Sequence, residues 1–517
     1  MFDCEKGEIK LKRKVALGIM LTLLLTSMLA LAFNIQQAKA SGTIYIKADG
    51  SVDPPDAPIF TADNVTYTFT GNINDSIVVE RNNIVVEGAG YTVQGTGSGT
   101  GVDLTGRSNV TIKNMKIKEF DCGIWLYSSS NNGISGNSIT NNGYGVELYD
   151  HSSNNSICEN TITANEEHGV LFWGYCSSNN ILRNNISTNN EIGILLGQYS
   201  NFNNISANVI TANNQHGITL QDSSYNSVSG NNLTANRFNG IYLTSSSYNT
   251  VSGNHITGNY DGIELNQQGT DYNKIFENNV TANTRGIYLF LASENVIYHN
   301  NFINNSEQVH VLAGYSYANF WDDGYPSGGN YWSDYDGTDI YGGLYQNETG
   351  SDGIGDTPFT VDVNSQDRFP LIGSVTAFDA DTWNGVTYNA NVMSNSTVSK
   401  FQLNVAQKMM SFNVTGEAGL GFCRVTIPNV IVQDLWHGNY TILLNGDPWP
   451  FKNWTDTENT YIYFTYQHSE HEVTIMPEFP SLILPLFMVF TTLIILLVKR
   501  RLHKKPKTRN MLASFLS

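Results

Sequence analysis

Basic residues are scarce in this chain of 517 amino acids: 28 Lys and Arg stand against 46 Asp and Glu, a formal net charge of −18. The deficit is deeper in the middle, where residues 41–480 hold 15 basic against 43 acidic side chains, or −28. Such a surface repels nucleic acid and anionic polymers, and suits solubility, cation binding or a salty medium. Soft metal donors are sparse too. Met115 is the only methionine between residues 41 and 390. His168 and His216 share a repeat position but lie two repeats apart, roughly 10 Å, too far to hold one ion. Copper, which calls for convergent His, Met or Cys ligands, is therefore not supported. Four cysteines follow residue 40: Cys122, Cys158, Cys176 and Cys423. The first three fall at different phases of the repeat, which favours buried thiols over disulfides, although an oxidising location permits either.

Helical periodicity is also missing. In its place one pattern recurs eight times: N-x-[I/V]-x-x-N-x-[I/V/L/F]-x-x-N, a short spacer, then G-[I/V]-x-x. Its first asparagines are Asn132, Asn155, Asn179, Asn203, Asn226, Asn249, Asn273 and Asn295, in steps of 22 to 24 residues. A fixed period of this length marks a solenoid, whose units bury apolar faces only against their neighbours. Asn, Gly, Ser, Thr, Ile and Val favour turns and strands. Leucine-rich spacing is absent. The pattern predicts an all-β fold, a right-handed parallel β-helix with three short strands per coil. Side-chain alternation sends Asn184 and Ile186 inward and Asn185 outward. Asn columns are expected to hydrogen-bond from coil to coil, and glycine at the third corner to need either positive φ or close coil approach. At about 4.8 Å per coil, eight coils span roughly 38 Å. Degenerate coils are expected around Ile77–Val86 and Asn109–Asn114.

The ends carry an address. Lys10, Lys12, Arg13 and Lys14 precede an apolar run, and Ala38-Lys39-Ala40 supplies small residues at a cleavage position, so 1–40 reads as a signal peptide, with an uncleaved anchor as the alternative. Phe479 to Val498 is long enough to cross a bilayer, and the basic residues from Lys499 onward stay inside. The expected order is signal peptide 1–40, β-helix with N-terminal cap 41–320, C-terminal cap 321–373, β-sandwich-like domain 374–476, membrane anchor 477–501 and basic cytoplasmic tail 502–517. This places the bulk of the chain at the cell surface, tied to the membrane through its C-terminal helix. Pro477-Glu478-Phe479-Pro480 resembles archaeal C-terminal sorting signals, which implies cleavage and lipid attachment. Fourteen N-x-[S/T] sequons are present; Asn185, Asn232 and Asn279 take outward positions, which suits a glycoprotein.

Beyond Asn305 the repeat decays into Trp321-Asp322-Asp323-Gly324, Gly329-Asn330-Tyr331-Trp332-Ser333-Asp334-Tyr335, Asp352-Gly353-Ile354-Gly355-Asp356 and Arg368-Phe369-Pro370-Leu371. With the coils, these motifs resemble the NosD-type β-helix proteins common on archaeal surfaces, over about residues 60–372. The resemblance implies a right-handed β-helix related to carbohydrate-binding proteins and sugar hydrolases. Its founding members are periplasmic copper-handling accessories of nitrous-oxide reductase. Residues 374–476 instead alternate as antiparallel strands do, in six or seven runs.

A β-helix lines its outward residues in columns. Counting two and four positions past each glycine brings Trp125, Tyr127, Tyr149, Leu171 and Trp173 together, with a looser group of Tyr242, Tyr288 and Phe290. Aromatic faces suit sugar rings. A covering loop, a second protomer or plain β-propensity would produce the same residues. Glycoside hydrolysis needs two carboxylates roughly 5–9.5 Å apart, and no adjacent acidic pair emerges: Glu147 and Glu264 share a column five coils apart. Asp261 beside Arg285 reads as a structural ion pair. Asp334, Asp336, Asp339, Asp352 and Asp356 offer hard oxygen ligands for calcium, or Asx-turn chemistry without metal. The reading is a surface protein that binds polysaccharide or a surface glycoprotein, or serves adhesion or envelope structure. The alternatives are a polysaccharide lyase, hydrolase or epimerase, and a metal-handling accessory.

Overall fold

The computed structural model describes residues 42–312, 318–383 and 386–478, with Ile494 and Lys499 beyond. It divides into two compact units, up to Cys176 and from Ser177 onward. In the first unit three parallel ladders run in register. Ile112, Ile134 and Ile157 pair in one, Ile117, Ile139 and Ile162 in the next, and Ile124, Val146 and Val170 in the third. Each of these side chains is fully buried. A fully buried aliphatic side chain contributes roughly 1.5–3 kcal/mol before entropy. The degenerate coils join the ladders, since Ile77–Val79 pairs with Thr100–Asp103 and Ile84–Glu87 with Val110–Lys113. Antiparallel partners close the N-terminal end: Val52–Asp53 on Ile44–Ile46, and Ile59–Phe60 on Thr66–Phe69. Short antiparallel strands there cover an edge that would otherwise invite pairing.

The second unit repeats the arrangement. Ile181, Ile205, Val228, Val251, Ile275 and Ile297 form one column, and Ile186, Ile210, Leu233, Ile256, Val280 and Phe302 another. Asparagine columns hold the corners. Asn208 sends both its backbone N–H and its Nδ2 to Asn231 Oδ1, each at 3.0 Å, and Nδ2 also donates to the Ile181 carbonyl. All these groups are buried, so the side chain satisfies backbone polar groups that water cannot reach. Of the two reasons for a corner glycine, close approach holds. A Cβ on Gly145, Gly193, Gly217 or Gly262 would sit 2.4–2.6 Å from the carbonyl oxygen of the next coil, and none of the four has positive φ. Left-handed φ falls instead on residues such as Asn154, Ala207, Tyr225 and Ala235.

The ladders outlast the regular spacing. Asn295 is continued by Asn319, Asn300 by Asn330, and Asn305 ends on Gln308 Oε1. A last coil strand, Tyr331–Trp332, pairs with Asn301–Ile303. Trp332 lies stacked between Phe302 and Phe359, at 4.6 and 4.5 Å. Its indole N–H donates to the buried Asp367, as does the Asn330 backbone. Two five-stranded antiparallel sheets follow. One is ordered Ser374–Trp383, Val386–Ser394, Leu420–Pro428, Asn459–Gln467, Lys452–Thr455. The other is ordered Thr397–Asn404, Met409–Thr415, His471–Pro477, Tyr440–Leu444, Asp447–Trp449. Their inward residues share one core, which includes Val392, Phe412, Val425, Ile442, Phe464 and Ile475. There are more strands than the sequence showed, because edge strands such as Asp447–Trp449 carry no buried alternation. Buried Arg424 ties this part to the cap by donating to the Asp352 and Pro326 carbonyls.

Among the described residues no helix is long and apolar enough to cross a membrane. The expected signal peptide, the apolar run from Phe479 and the basic tail lie outside the described residues, apart from Ile494 and Lys499.

Candidate functional site

Each unit carries outward-facing columns of side chains with its own chemistry. In the first unit Trp125, Glu147 and Leu171 are in register, as are Tyr127, Tyr149 and Trp173. The rings of Trp125, Tyr127 and Tyr149 lie within 14–22° of parallel, with centroids 5.8–6.3 Å apart. Tyr127 is exposed, Trp125, Tyr149 and Trp173 are half-buried, and Leu171 is buried. The fold thus brings Trp125, Tyr127 and Tyr149 together, with Leu171 and Trp173 in register on the next strand. Glu147 sits within it, bonded to the Cys122 thiol. Burial first, then the charge of Asp121, push its carboxyl up to about 7. Asp150 accepts from Tyr127 and His151, which holds it below the usual carboxylate range.

In the second unit Tyr242, Glu264, Tyr288 and His310 form one column, and Thr244, Asn266 and Phe290 its neighbour. Tyr242 and Tyr288 are not adjacent, because Glu264 stands between them. A third column lies one residue before each glycine; the spacing showed its His216 and its Asp261–Arg285 pair, but not their nearness to these rings. It places His216, Asn239, Asp261 and Arg285 beside these rings. His216 stacks on Tyr242 at 4.9 Å, and burial pushes its imidazole down to about 4. Asp261 receives Arg285 through Nε at 2.5 Å and Nη2 at 2.7 Å, so the expected ion pair forms. The Arg285 guanidinium lies 4.1 Å over the Tyr288 ring.

A further aromatic column runs along a corner. Phe202, Tyr225, Tyr248 and Tyr272 stack 5.1 Å apart within 3–13° of parallel, all exposed. Each precedes the first asparagine of its repeat, a position the sequence shows once that phase is inspected. Their faces cover one another and their edges meet solvent. The column is an exposed aromatic ladder that joins consecutive coils.

The five aspartates of the cap divide. Asp334 and Asp336 are exposed. Asp339 accepts the backbone N–H groups of Asp352 and Gly353, and Asp356 those of Ile340 and Tyr341. Asp352 accepts from Gly343 and Ile354. Burial pushes the Asp339 carboxyl up to about 7. Among the described residues no group of three or more His, Cys, Asp or Glu side chains gathers where an ion could be held.

Two family models match the sequence. One, described as "Right handed beta helix region", covers 61–208, and the other, "Periplasmic copper-binding protein (NosD)", covers 188–337. Coil geometry and these matches define a right-handed parallel β-helix protein. Residues 188–337 are similar to the NosD family. No curated protein matches the chain. Similar solved structures include the A-module of the Azotobacter vinelandii mannuronan C-5 epimerase AlgE6, with TM-score 0.40, 15% identity, and coverage of 54% of this chain and 90% of that one. A double mutant of the periplasmic alginate epimerase AlgG gives 0.38 at 16% identity, covering 51% and 79%. The Agl-KA catalytic domain gives 0.37 at 14%, covering 54% and 62%. Scores this low carry no argument about what the chain does. Met115 is buried at 1% exposure, and burial and Glu147 push the Cys122 thiol well above its ordinary value.

Proposed function

We propose that this is an exported surface protein whose β-helix binds polysaccharide, in adhesion or envelope structure, through the outward face of its long sheet. The parallel triad of Trp125, Tyr127 and Tyr149 carries the reading. Three large rings with planes within 22° of parallel, Tyr127 exposed and Trp125 and Tyr149 half-buried, gather apolar ring surface that a sugar can meet. A rigid sheet presents them at little entropic cost. The signal peptide and C-terminal anchor read from the sequence belong to the same proposal, as does glycosylation at the exposed Asn185 and Asn232. A second reading, a polysaccharide lyase, hydrolase or epimerase, draws on Glu147, a carboxyl poised near 7 beside the triad, as general acid–base catalysis requires.

Glycan-array binding by the purified chain tests the first reading. Trp125→Ala and Tyr149→Ala should each lose about tenfold in affinity with the fold intact. Undiminished binding by both would sink it. Reducing-end or unsaturated-product release by wild type, abolished in Glu147→Gln, would establish the second reading.

A further inference from the structure

The aromatic triad of the first unit sits in a field of one sign. Residues 121–176 hold six acidic side chains, Asp121, Glu147, Asp150, Glu159, Glu166 and Glu167, and no lysine or arginine. Asp150 is spent on Tyr127 and His151. Burial pushes the His168 imidazole down, which favours its uncharged form. Asp121 is exposed and Glu167 half-buried, and neither carboxylate has a hydrogen-bond or ion-pair partner among the described residues. The two stand at one corner of the coil with Gly143 between them, since the Tyr144 N–H donates to the Asp121 carbonyl and the Glu167 N–H to that of Gly143. A Cβ on Gly143 would lie 3.2 Å from Asp121 Oδ1. No side chain fills the corner between the two carboxylates, whose backbones are roughly 10 Å apart. Along the strand from this corner stand Glu147 and Tyr149, with Trp125 and Tyr127 on the strand before. After burial, the charges of Asp121 and, more weakly, Glu167 help to hold the Glu147 carboxyl up. Among the described residues no three such groups converge where a metal ion could be held, so the charge is spread along the face.

We propose that the polysaccharide bound by this face is an amino-sugar chain, with its rings on the aromatic triad and its protonated amines paired with Asp121 and Glu167. The inference rests on the saccharide reading of the same rings and adds the charge of the ligand. Two independent features select a cation. A Trp or Tyr ring attracts an ammonium through its quadrupole, besides meeting a sugar's C–H face. An ammonium has three N–H donors, and its charge-assisted bond to either uncommitted carboxylate is short and strong. The bound charge also relieves the repulsion that Asp121 and Glu167 exert on Glu147. The corner and the triad are four to six residues apart along the strands, roughly 13–20 Å, so the ligand spans several sugar rings. A uronate chain meets the same field with the wrong sign, and an N-acetylated chain lacks the charge.

The full chain is titrated calorimetrically with short glucosamine oligomers, with the same oligomers N-acetylated, and with an oligouronate, at a mildly acidic pH that keeps the amines protonated. The amine form should bind about tenfold more tightly than the acetylated form, and added salt should shrink that margin. Asp121→Asn and Glu167→Gln should each weaken the amine form by about two- to fivefold and leave the acetylated form unchanged. Trp125→Ala should weaken both forms. Glu470→Gln removes an exposed charge outside this unit and should change nothing. Acetylated or uronate oligomers that bind as tightly as the amine form overturn the proposal, as does an equal loss in Glu470→Gln. So does an amine preference that survives Asp121→Asn and Glu167→Gln together. Acetylated binding that Trp125→Ala weakens, without an amine preference, leaves the saccharide reading standing and removes this inference. No binding of any probe to wild type removes both.

Discussion

Asn231 donates both its backbone N–H, at 2.9 Å, and its Nδ2, at 3.0 Å, to the one side-chain oxygen of Asn254. Its own Oδ1 takes the same pair from Asn208, and its Nδ2 also reaches the Ile205 carbonyl. One side chain thereby joins three coils by direct hydrogen bonds. Asn231→Ala orphans the Asn208 donors and the Ile205 carbonyl, and should cost about 2–4 kcal/mol in denaturant unfolding. Asn231→Asp should cost more at neutral pH, because a carboxylate faces the Ile205 carbonyl and Asn254 Oδ1 with no N–H to give. An Asp variant as stable as wild type would contradict the ladder.

Two glycines separate close approach from backbone conformation. A Cβ on Gly217 would lie 2.6 Å from the Gly240 carbonyl oxygen, with Leu233 and Asn236 within 3.0 Å. Gly230 has φ of 61° and nothing within 4 Å. Gly217→Ala should destabilise by about 3 kcal/mol or more, and Gly230→Ala by about 1–2. Thermal melts of the two variants compare them directly, and a reversed order would place the glycine requirement in φ instead.

Burial moves the Asp367 carboxyl from its ordinary 3.8 up to about 7, against the donors Asn330, Trp332 and Phe369. The folded state therefore binds a proton there that the unfolded state has released. The stability this contributes is complete below about 4 and is lost as pH rises through about 7. Burial pushes His216 the other way, so whole-protein melts mix the two signs. The clean measure is the midpoint of wild type minus that of Asp367→Asn. It should shrink between pH 5 and pH 8, and a constant difference would show that Asp367 stays ionised.

Asp261 and Arg285 are 2% and 19% exposed in their side chains. Removing one partner leaves a largely buried charge, so Asp261→Ala should cost about 3–5 kcal/mol. Replacing both by apolar residues of similar size should cost less than the sum of the single changes. A double-mutant cycle on unfolding free energy measures this coupling, and additive effects would mean that the pair is held apart by solvent.

How much was legible follows from what a period can encode. Ile181 above Ile205 and Asn208 above Asn231 follow from spacing alone, since a residue one repeat later returns to the same place on the coil. The Trp125–Tyr149 contact followed for the same reason. Asn319 and Asn330 escaped, because the spacer lengthens before them while the ladder continues. Asn239, and the contact of His216 with Tyr242, escaped because the column before the glycine was not set beside the column after it. The buried state of Asp352, Asp367 and Arg424 had no sequence signal, since Asp in a Gly-rich turn looks the same whether it caps backbone N–H groups or faces water.

The order of residues along the chain determined the coil: a repeat of 22 to 24 residues with alternating Ile and Asn can bury its apolar side chains only by stacking in register. Only the folded chain decided which outward side chains meet. Ring orientation and the stacking of His216 on Tyr242 depend on rotamers and on neighbours from other coils, which no periodicity specifies.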